Sequence, residues 1–315
     1  MSVDTVLTVE GVNSAAASES RALSARSARS RPALMAVLST LLVIGVWELY
    51  KAVGPQDGGI FFGMRLLPRA DDVSMPHVSA ILGRFTQPEL SASGGSTVLT
   101  AVLTAMAFSL GVAGIGWLIG VVVGMLLAIL MQRFRTAESG LLPYVVLSQT
   151  VPLVALAPLV VGWGGQLKFF GRPWEPWMSV AMIAAYLAFF PVAVGALRGL
   201  NSPAATQLEL MRSYAGSWWQ TMVRLRLPAS VPYLVPSLRL AAAASVVGAI
   251  VAEISTGTKG GIGRLIIDYA QAATGDPPKP YTAILGAAVL GLVAAGLVGF
   301  IELALRRYRP VEAST

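Results

Sequence analysis

Gly111-Val-Ala-Gly-Ile-Gly-Trp-Leu-Ile-Gly-Val-Val-Val-Gly-Met-Leu-Leu-Ala-Ile-Leu-Met131 decides the fold class. The run is apolar throughout, carries no charged residue, and matches the roughly 20 residues that take an α-helix across a bilayer. Gly116, Gly120 and Gly124 recur every four residues, which stacks them on one helix face where a second helix can approach closely. The apolar stretch reaches back to Val98, too long for one perpendicular span. Its added half either lies along the membrane interface or continues the helix beyond the bilayer, and both readings stay open.

Five more apolar stretches flank it. The first, Pro32 to about Val53, follows a Ser-, Ala- and Arg-rich tail, residues 1–31, that has no apolar period and is expected to be a disordered cytoplasmic tail. An Arg-rich flank, an apolar core and Ala52-Val53-Gly54 also imitate a cleaved signal peptide. The run is long for that, which favours a first spanning helix, with Glu48 as an interfacial residue. Residues 32–97 thus read as the first transmembrane helix and an external loop, with a short helix around Val78–Phe85. Residues 98–309 read as the core and 310–315 as a C-terminal tail. Within the core, Leu141 to Gly162 is apolar but interrupted by Pro143, Pro152 and Pro158. Residues 177–197, Pro232–Ile254 and Tyr281–Leu305 supply the remaining spans, with a short helix expected from Arg264 to Ala273.

Composition agrees with lipid as the solvent. Hydrophobic residues make up 55% of the 315 and charged ones 12%, half the roughly 25% of a soluble chain. The 32 Gly and 19 Pro are tolerated in membrane helices because neighbouring helices satisfy the backbone groups they free. The absence of Cys rules out disulfides and thiolate sites, and the single His77 cannot build a multi-histidine metal centre. The net charge of +7 is scattered between apolar blocks, which reads as membrane orientation rather than nucleic-acid binding. About six spans put both termini on one side. With that side cytoplasmic, fourteen of the 23 Lys and Arg residues fall inside, as the positive-inside rule expects. The fold class expected is an all-α, multi-pass membrane protein.

Residues 198–230 cannot be a further span. Glu209, Arg212, Arg224 and Arg226 would each cost about 2.5–3.5 kcal/mol at a bilayer centre. The stretch nevertheless reads as helical: Ser202 suits an N-cap and Pro203 the first helical position. Leu208, Met211, Ala215, Trp218, Met222 and Leu225 form one apolar stripe. Gly216 permits a bend, and Pro228 is expected to stop the helix. The chemistry describes an amphipathic helix between two spans that lies on lipid headgroups, packs on its own protein or enters a partner's groove. It does not choose among the three.

Glu209-Leu-Met-Arg-Ser-Tyr-Ala-Gly-Ser-Trp-Trp-Gln-Thr-Met-Val-Arg-Leu-Arg-Leu-Pro228 resembles the "EAA" loop of binding-protein-dependent ABC importer permeases. That motif runs Glu-Ala-Ala, three residues, Gly, nine residues, Ile, any residue, Leu-Pro. Glu209, Leu225, Leu227 and Pro228 fall at the required distances. Leu210 and Met211 replace the alanines, and Ala215 stands at the glycine position with Gly216 one residue late. Val151-Pro-Leu-Val-Ala-Leu-Ala-Pro-Leu159, ending Gly162-Trp-Gly164, is similar to the third core helix of the sulfonate, taurine and nitrate permeases. Ala252-Glu253 with Gly260-Gly-Ile-Gly263 is similar to the segment after that group's penultimate helix. The resemblance covers about residues 95–309.

It implies the type I ABC importer transmembrane-domain fold in a bacterial plasma (inner) membrane. The chain would be a non-catalytic permease, homodimeric or paired, with cytoplasmic ABC ATPase subunits and an external solute-binding protein as partners. Glu209, Met211, Ala215, Gly216, Leu227 and Pro228, in a coupling helix at about 203–227, would carry the ATPase's motion. The solute class implied is a sulfonate, taurine, nitrate or a pyrimidine-type vitamin precursor.

Inside the spans, Gln149 and Thr150 beside Pro152 either line the solute path or make an interhelical hydrogen bond. Ser245 is a weaker path candidate. Glu253 gates the external mouth, pairs with Lys259 or Arg264, or is simply solvated at a span's end. Gly257 to Gly263 lacks the Gly-Lys-Ser/Thr ending of a phosphate loop, so ATP hydrolysis belongs to another chain. No Ser–His–Asp arrangement or HExxH motif occurs, and no catalytic residue, metal or cofactor is expected. Two rivals remain: a secondary transporter, which leaves the charged 198–230 helix without a reason, and a membrane-embedded enzyme, which needs reactive side chains within the spans.

Overall fold

The computed structural model describes residues 34–61, 64–89, 95–169 and 171–305. The expected tails, 1–31 and 310–315, lie outside them. The chain divides at Ala80 into two units.

In the first unit the helix α1 (Leu34–Val53) has no buried residue. It is followed by an antiparallel hairpin of β1 (Gly59–Phe61) and β2 (Met64–Leu67). The last turns of α1 hold the segment that leads into the helix α2 (Val78–Arg84). Trp47 Nε1 donates to the Pro76 carbonyl at 3.1 Å and Tyr50 Oη to that of Pro68 at 2.8 Å. Lys51 Nζ pairs with Asp72 at 2.7 Å, and this hydrogen-bonded ammonium holds the Asp72 carboxyl below the usual carboxylate range. Glu48 is more than an interfacial residue: its Oε1 accepts the Val78 backbone N–H at 2.7 Å and its Oε2 contacts His77 Nδ1 at 2.8 Å.

The second unit is built on three long helices: α3 (Val98–Arg133), α6 (Pro176–Leu200) and α9 (Leu227–Thr256). The interface between α3 and α6 is backbone against backbone. A Cβ added to Gly116 would lie 2.5 Å from the Ala184 Cβ and 2.7 Å from the Ala181 carbonyl oxygen. One on Gly124 would lie 2.6 Å from the Phe189 carbonyl oxygen. Small side chains on both helices permit this approach, and in lipid it replaces the missing hydrophobic drive with dispersion contact. The same device repeats between α6 and α9, where Gly199 lies against Ser230 and Gly248 against Ala184.

Val98 to Arg133 is one continuous helix of 36 residues, so the first half of that stretch extends the helix. The helix α11 (Lys279–Leu305) is the last element among the described residues. The stretch read as the third span is two helices, α4 (Arg135–Leu147) and α5 (Leu153–Gly164), which meet at 102° across a 3-10 turn at Ser148–Thr150. Among the described residues, five helices are long and apolar enough to cross a membrane, six if this bent pair counts as one span. Between α5 and α6 lies a short antiparallel pair, β3 (Lys168–Phe169) and β4 (Arg172–Pro173).

Candidate functional site

The polar stretch between α6 and α9 is not the single helix expected from the stripe. Ser202 does not cap a helix, because its hydroxyl donates to the Gly199 carbonyl at 2.7 Å and so completes the end of α6. The helix α7 (Ala205–Ser213) begins after Ala204, which has no side-chain acceptor. Only half of a capping box forms, with Gln207 Oε1 accepting the Ala204 N–H at 3.0 Å. None of α7's residues is buried, and Glu209 is exposed.

Its C-terminus is a Schellman motif: the Gly216 N–H reaches the Met211 carbonyl and the Ala215 N–H that of Arg212, each at 2.9 Å. The left-handed residue this motif requires is Ala215, with φ of 51°. The resemblance therefore aligns without a shift, since the position at which the motif has Gly carries the backbone conformation that favours Gly. Gly216 answers a different need, because a Cβ there would lie 2.8 Å from the Met211 carbonyl oxygen. An L-residue other than Gly loses about 1–2 kcal/mol in this conformation. Ala215→Gly should accordingly stabilise the cap by about 1 kcal/mol and slow hydrogen exchange of the α7 amides about fivefold. Unchanged exchange would refute the cap's strain.

Ser217 starts the next turn with a full capping box: the Gln220 N–H reaches Ser217 Oγ at 3.3 Å and the Ser217 N–H reaches Gln220 Oε1 at 2.8 Å. The helix α8 (Trp218–Thr221) passes into a π-turn at Met222–Arg226 and then directly into α9. Pro228 therefore does not stop a helix, as its sequence position suggested. It sits in the first turn of α9, where a missing N–H costs least. The wide turn before it sends the Leu227 N–H back five residues to Met222.

The stripe splits at the cap into an unburied α7 and a seated second half. Met222, 1% exposed, packs among Ala128, Met131, Ala196, Leu197 and Leu200 at the C-terminal ends of α3 and α6, and half-buried Leu227 joins them. Arg226 Nη1 donates to the Leu200 carbonyl at 2.6 Å. The Arg133 guanidinium lies 5.2 Å from the Trp218 ring centre and 5.5 Å from that of Phe134. Arg133 and Arg226 were missed as partners of this segment, although each is a basic residue where a helix C-terminus leaves carbonyls open.

The residues expected along a path lie in three places. Gln149 and Thr150 are exposed at the α4–α5 break, and Pro152 is the N-cap of α5. Thr150 Oγ1 donates within its own turn to Leu147 at 2.8 Å, so it makes no interhelical bond. Tyr186 of α6 reaches the Ser148 carbonyl and ties the break to the bundle. Ser245, 2% exposed, donates to Ala242 and faces an apolar cavity of about 180 Å³ beside Trp117 and Leu297.

Glu253 neither is solvated nor pairs with Lys259 or Arg264. It is 0% exposed, and Arg264 pairs instead with Asp268. Its Oε1 accepts from Ser109 Oγ at 2.7 Å, and its Oε2 accepts the Gly263 N–H at 2.8 Å. Ser109 Oγ in turn accepts the Ile262 N–H at 2.9 Å. Side chains of α3 and α9 thus cap the helix α10 (Ile262–Gln271) from outside its own sequence. Helix α10 starts two residues before the expected Arg264. Around it, Arg84 pairs with Asp276 at 2.7 Å, and Lys279 lies 4.7 Å from the centre of the Tyr269 ring. Burial pushes the Tyr269 hydroxyl above its ordinary range.

Residues 120–307 match the family described as binding-protein-dependent transport system inner membrane component. The formylaminopyrimidine transport permease protein of Halalkalibacterium halodurans is 30% identical over 285 residues, covering 89% of this chain and 98% of the relative. A Haemophilus influenzae protein named "Probable ABC transporter permease protein" is 33% identical over 153 residues, which cover 49% of this chain and 58% of that protein. The nitrate import permease protein of Leptolyngbya laminosa is 27% identical over 196 residues, 62% of this chain and 66% of the relative.

Proposed function

This chain belongs to the family of binding-protein-dependent transport system inner membrane components, and on that footing we propose that it forms the solute path of an ATP-driven importer. It is an ABC importer permease of the sulfonate and nitrate group with the type I fold. The proposal adds its setting: a bacterial plasma membrane, both termini in the cytoplasm, and a second permease copy alongside. Cytoplasmic ATPase subunits supply the energy, and an external binding protein delivers the solute.

One observation carries the reading. The charged stretch between α6 and α9 is held in two parts, an unburied α7 and a seated α8 with its π-turn, and that division suits an element offered to another protein. Glu209, Met211 and the Ala215–Gly216 cap belong to the offered part. Leu227 and Pro228 belong to the joint with α9. ATPase closure pressing on α7 would tilt the bundle between two discrete packings. Gln149 and Thr150, exposed at the broken span, are the path residues this reading favours, with Pro152 setting the break. Ser245 and Glu253 are dropped from the path, since both are buried within one bundle. Relatives named for formylaminopyrimidine and nitrate transport make a small heterocycle or an oxyanion the solute classes to try first.

The test is co-purification in mild detergent. The tagged chain should retain a nucleotide-binding subunit, and Glu209→Arg should release most of it while the permease stays folded. Solute uptake driven by an ion gradient with no companion ATPase would defeat the proposal.

A further inference from the structure

The α8–π segment continues into α9 and is also held against the ends of α3 and α6 by Met222, Arg226 and Trp218. Met222 is buried between the C-terminal ends of α3 and α6. Arg226, one turn on, is bonded to the last carbonyl of α6. These two points fix the π-turn where it joins α9, and the N-terminal end of α8, with α7 beyond it, is held elsewhere. The third point lies at that end: the guanidinium of Arg133, the last residue of α3, lies over the rings of Trp218 and Phe134, and Trp218 also packs against the cluster that holds Met222. Trp218 is itself braced edge-on by Trp219, with ring centres 4.7 Å apart.

We infer that Arg133 is a positioning residue for transport, whose stack on Trp218 fixes the angle at which the α7–α8 segment meets α3 and so passes its displacement into α3. The inference rests on the importer reading above and adds the contact that loads the bundle. It has a rigid element to act on, because Gly116, Gly120 and Gly124 bring the α3 backbone against α6, so force on the end of α3 moves both helices together. Arg133 is exposed, and an exposed cation–π contact adds little to stability. Its loss should therefore leave the fold intact while loosening that angle. A planar guanidinium can stack and hold an angle, whereas an ammonium is a point charge without a plane.

The chain has no Cys, so Lys259→Cys, exposed in the turn beyond the other end of α9, places one permease thiol as a reporter. Permease with its co-purified ATPase is reconstituted in lipid nanodiscs, and maleimide labelling rate is compared without nucleotide and with ATP plus orthovanadate. A nucleotide-dependent change in rate is expected for the parent chain and should vanish in Arg133→Gln and Trp218→Leu, with ATPase still bound and hydrolysing. Arg133→Lys should keep only part of the response. An undiminished response in both stack variants overturns the inference, and so does loss of the ATPase from both, which would make the stack a docking support. Absence of any ATPase from the parent preparation would instead count against the importer reading itself.

Discussion

Gly120→Val should abolish the folded protein, leaving little monodisperse material in detergent and a melting transition far below that of the parent. A Cβ on Gly120 would stand 2.6 Å from the Ala188 Cβ, 2.9 Å from the Ala185 carbonyl oxygen and 3.0 Å from the Phe189 nitrogen. Two of those three atoms belong to the α6 backbone and cannot rotate aside. Overpacking a filled core costs about 1–3 kcal/mol and occasionally more, and valine adds three carbons where even one does not fit. Either α3 and α6 separate along their whole glycine stripe, or α6 deforms near Pro191, which lies inside the helix and lacks a backbone N–H. Gly111→Ala is the internal control: on the same helix a Cβ there meets nothing within 4 Å. Relieved of glycine's low helix propensity, that variant should be unchanged or stabilised by up to about 1 kcal/mol. Equal melting of the two variants would show that glycine spacing, and not contact, had been misread as packing.

That stripe was legible because spacing by four is a property of one helix, and a single helix can be read alone. The spans were legible for the same reason, each being decided by its own length and polarity. What escaped depends on partners. Three prolines interrupt residues 141–162, yet Pro143 and Pro158 lie inside helices and only Pro152 stands at the 102° bend. The sequence holds no local mark that separates them. Ser202 has the chemistry of an N-cap, but the end of α6 had the prior claim on its hydroxyl. Pro228 looked like a terminator because a proline ring clashes in an α-helix. A π-turn just upstream removes the conflict by changing the hydrogen-bond register. Glu253 departs furthest from its expected surroundings, because its partners Ser109 and Gly263 lie 144 and 10 residues away, and no spacing rule links α3 to α10.

Gly261→Ala should be far more harmful in the parent chain than in one that already carries Glu253→Ala. A Cβ on Gly261 would lie 2.2 Å from the Glu253 carboxyl carbon and 2.3 Å from both its oxygens. The carboxylate is wholly buried and cannot swing into solvent. Alanine at 261 must therefore expel it from its two bonds or lift the start of α10 from α9. Either outcome leaves the Gly263 N–H unpaired in a buried place, at about 1–3 kcal/mol. Glu253→Ala alone loses the same acceptor and opens a void beside Gly261, so it is costly too. In the double variant the new methyl occupies that void and expels nothing. The double variant's cost should fall short of the sum of the two single costs by about 0.5–3 kcal/mol, the range for groups in direct contact. Glu253→Gln tests whether the acceptor or the charge matters. Its carbonyl can accept the Gly263 N–H while its amide donates to Ser109 Oγ, so it should melt close to the parent. Thermal melting of all four chains, with hydrogen exchange of the α10 amides, reads the cycle. Strict additivity would mean that carboxylate and glycine do not share the space the structure gives them. The capping of α10 from two other helices would then be wrong.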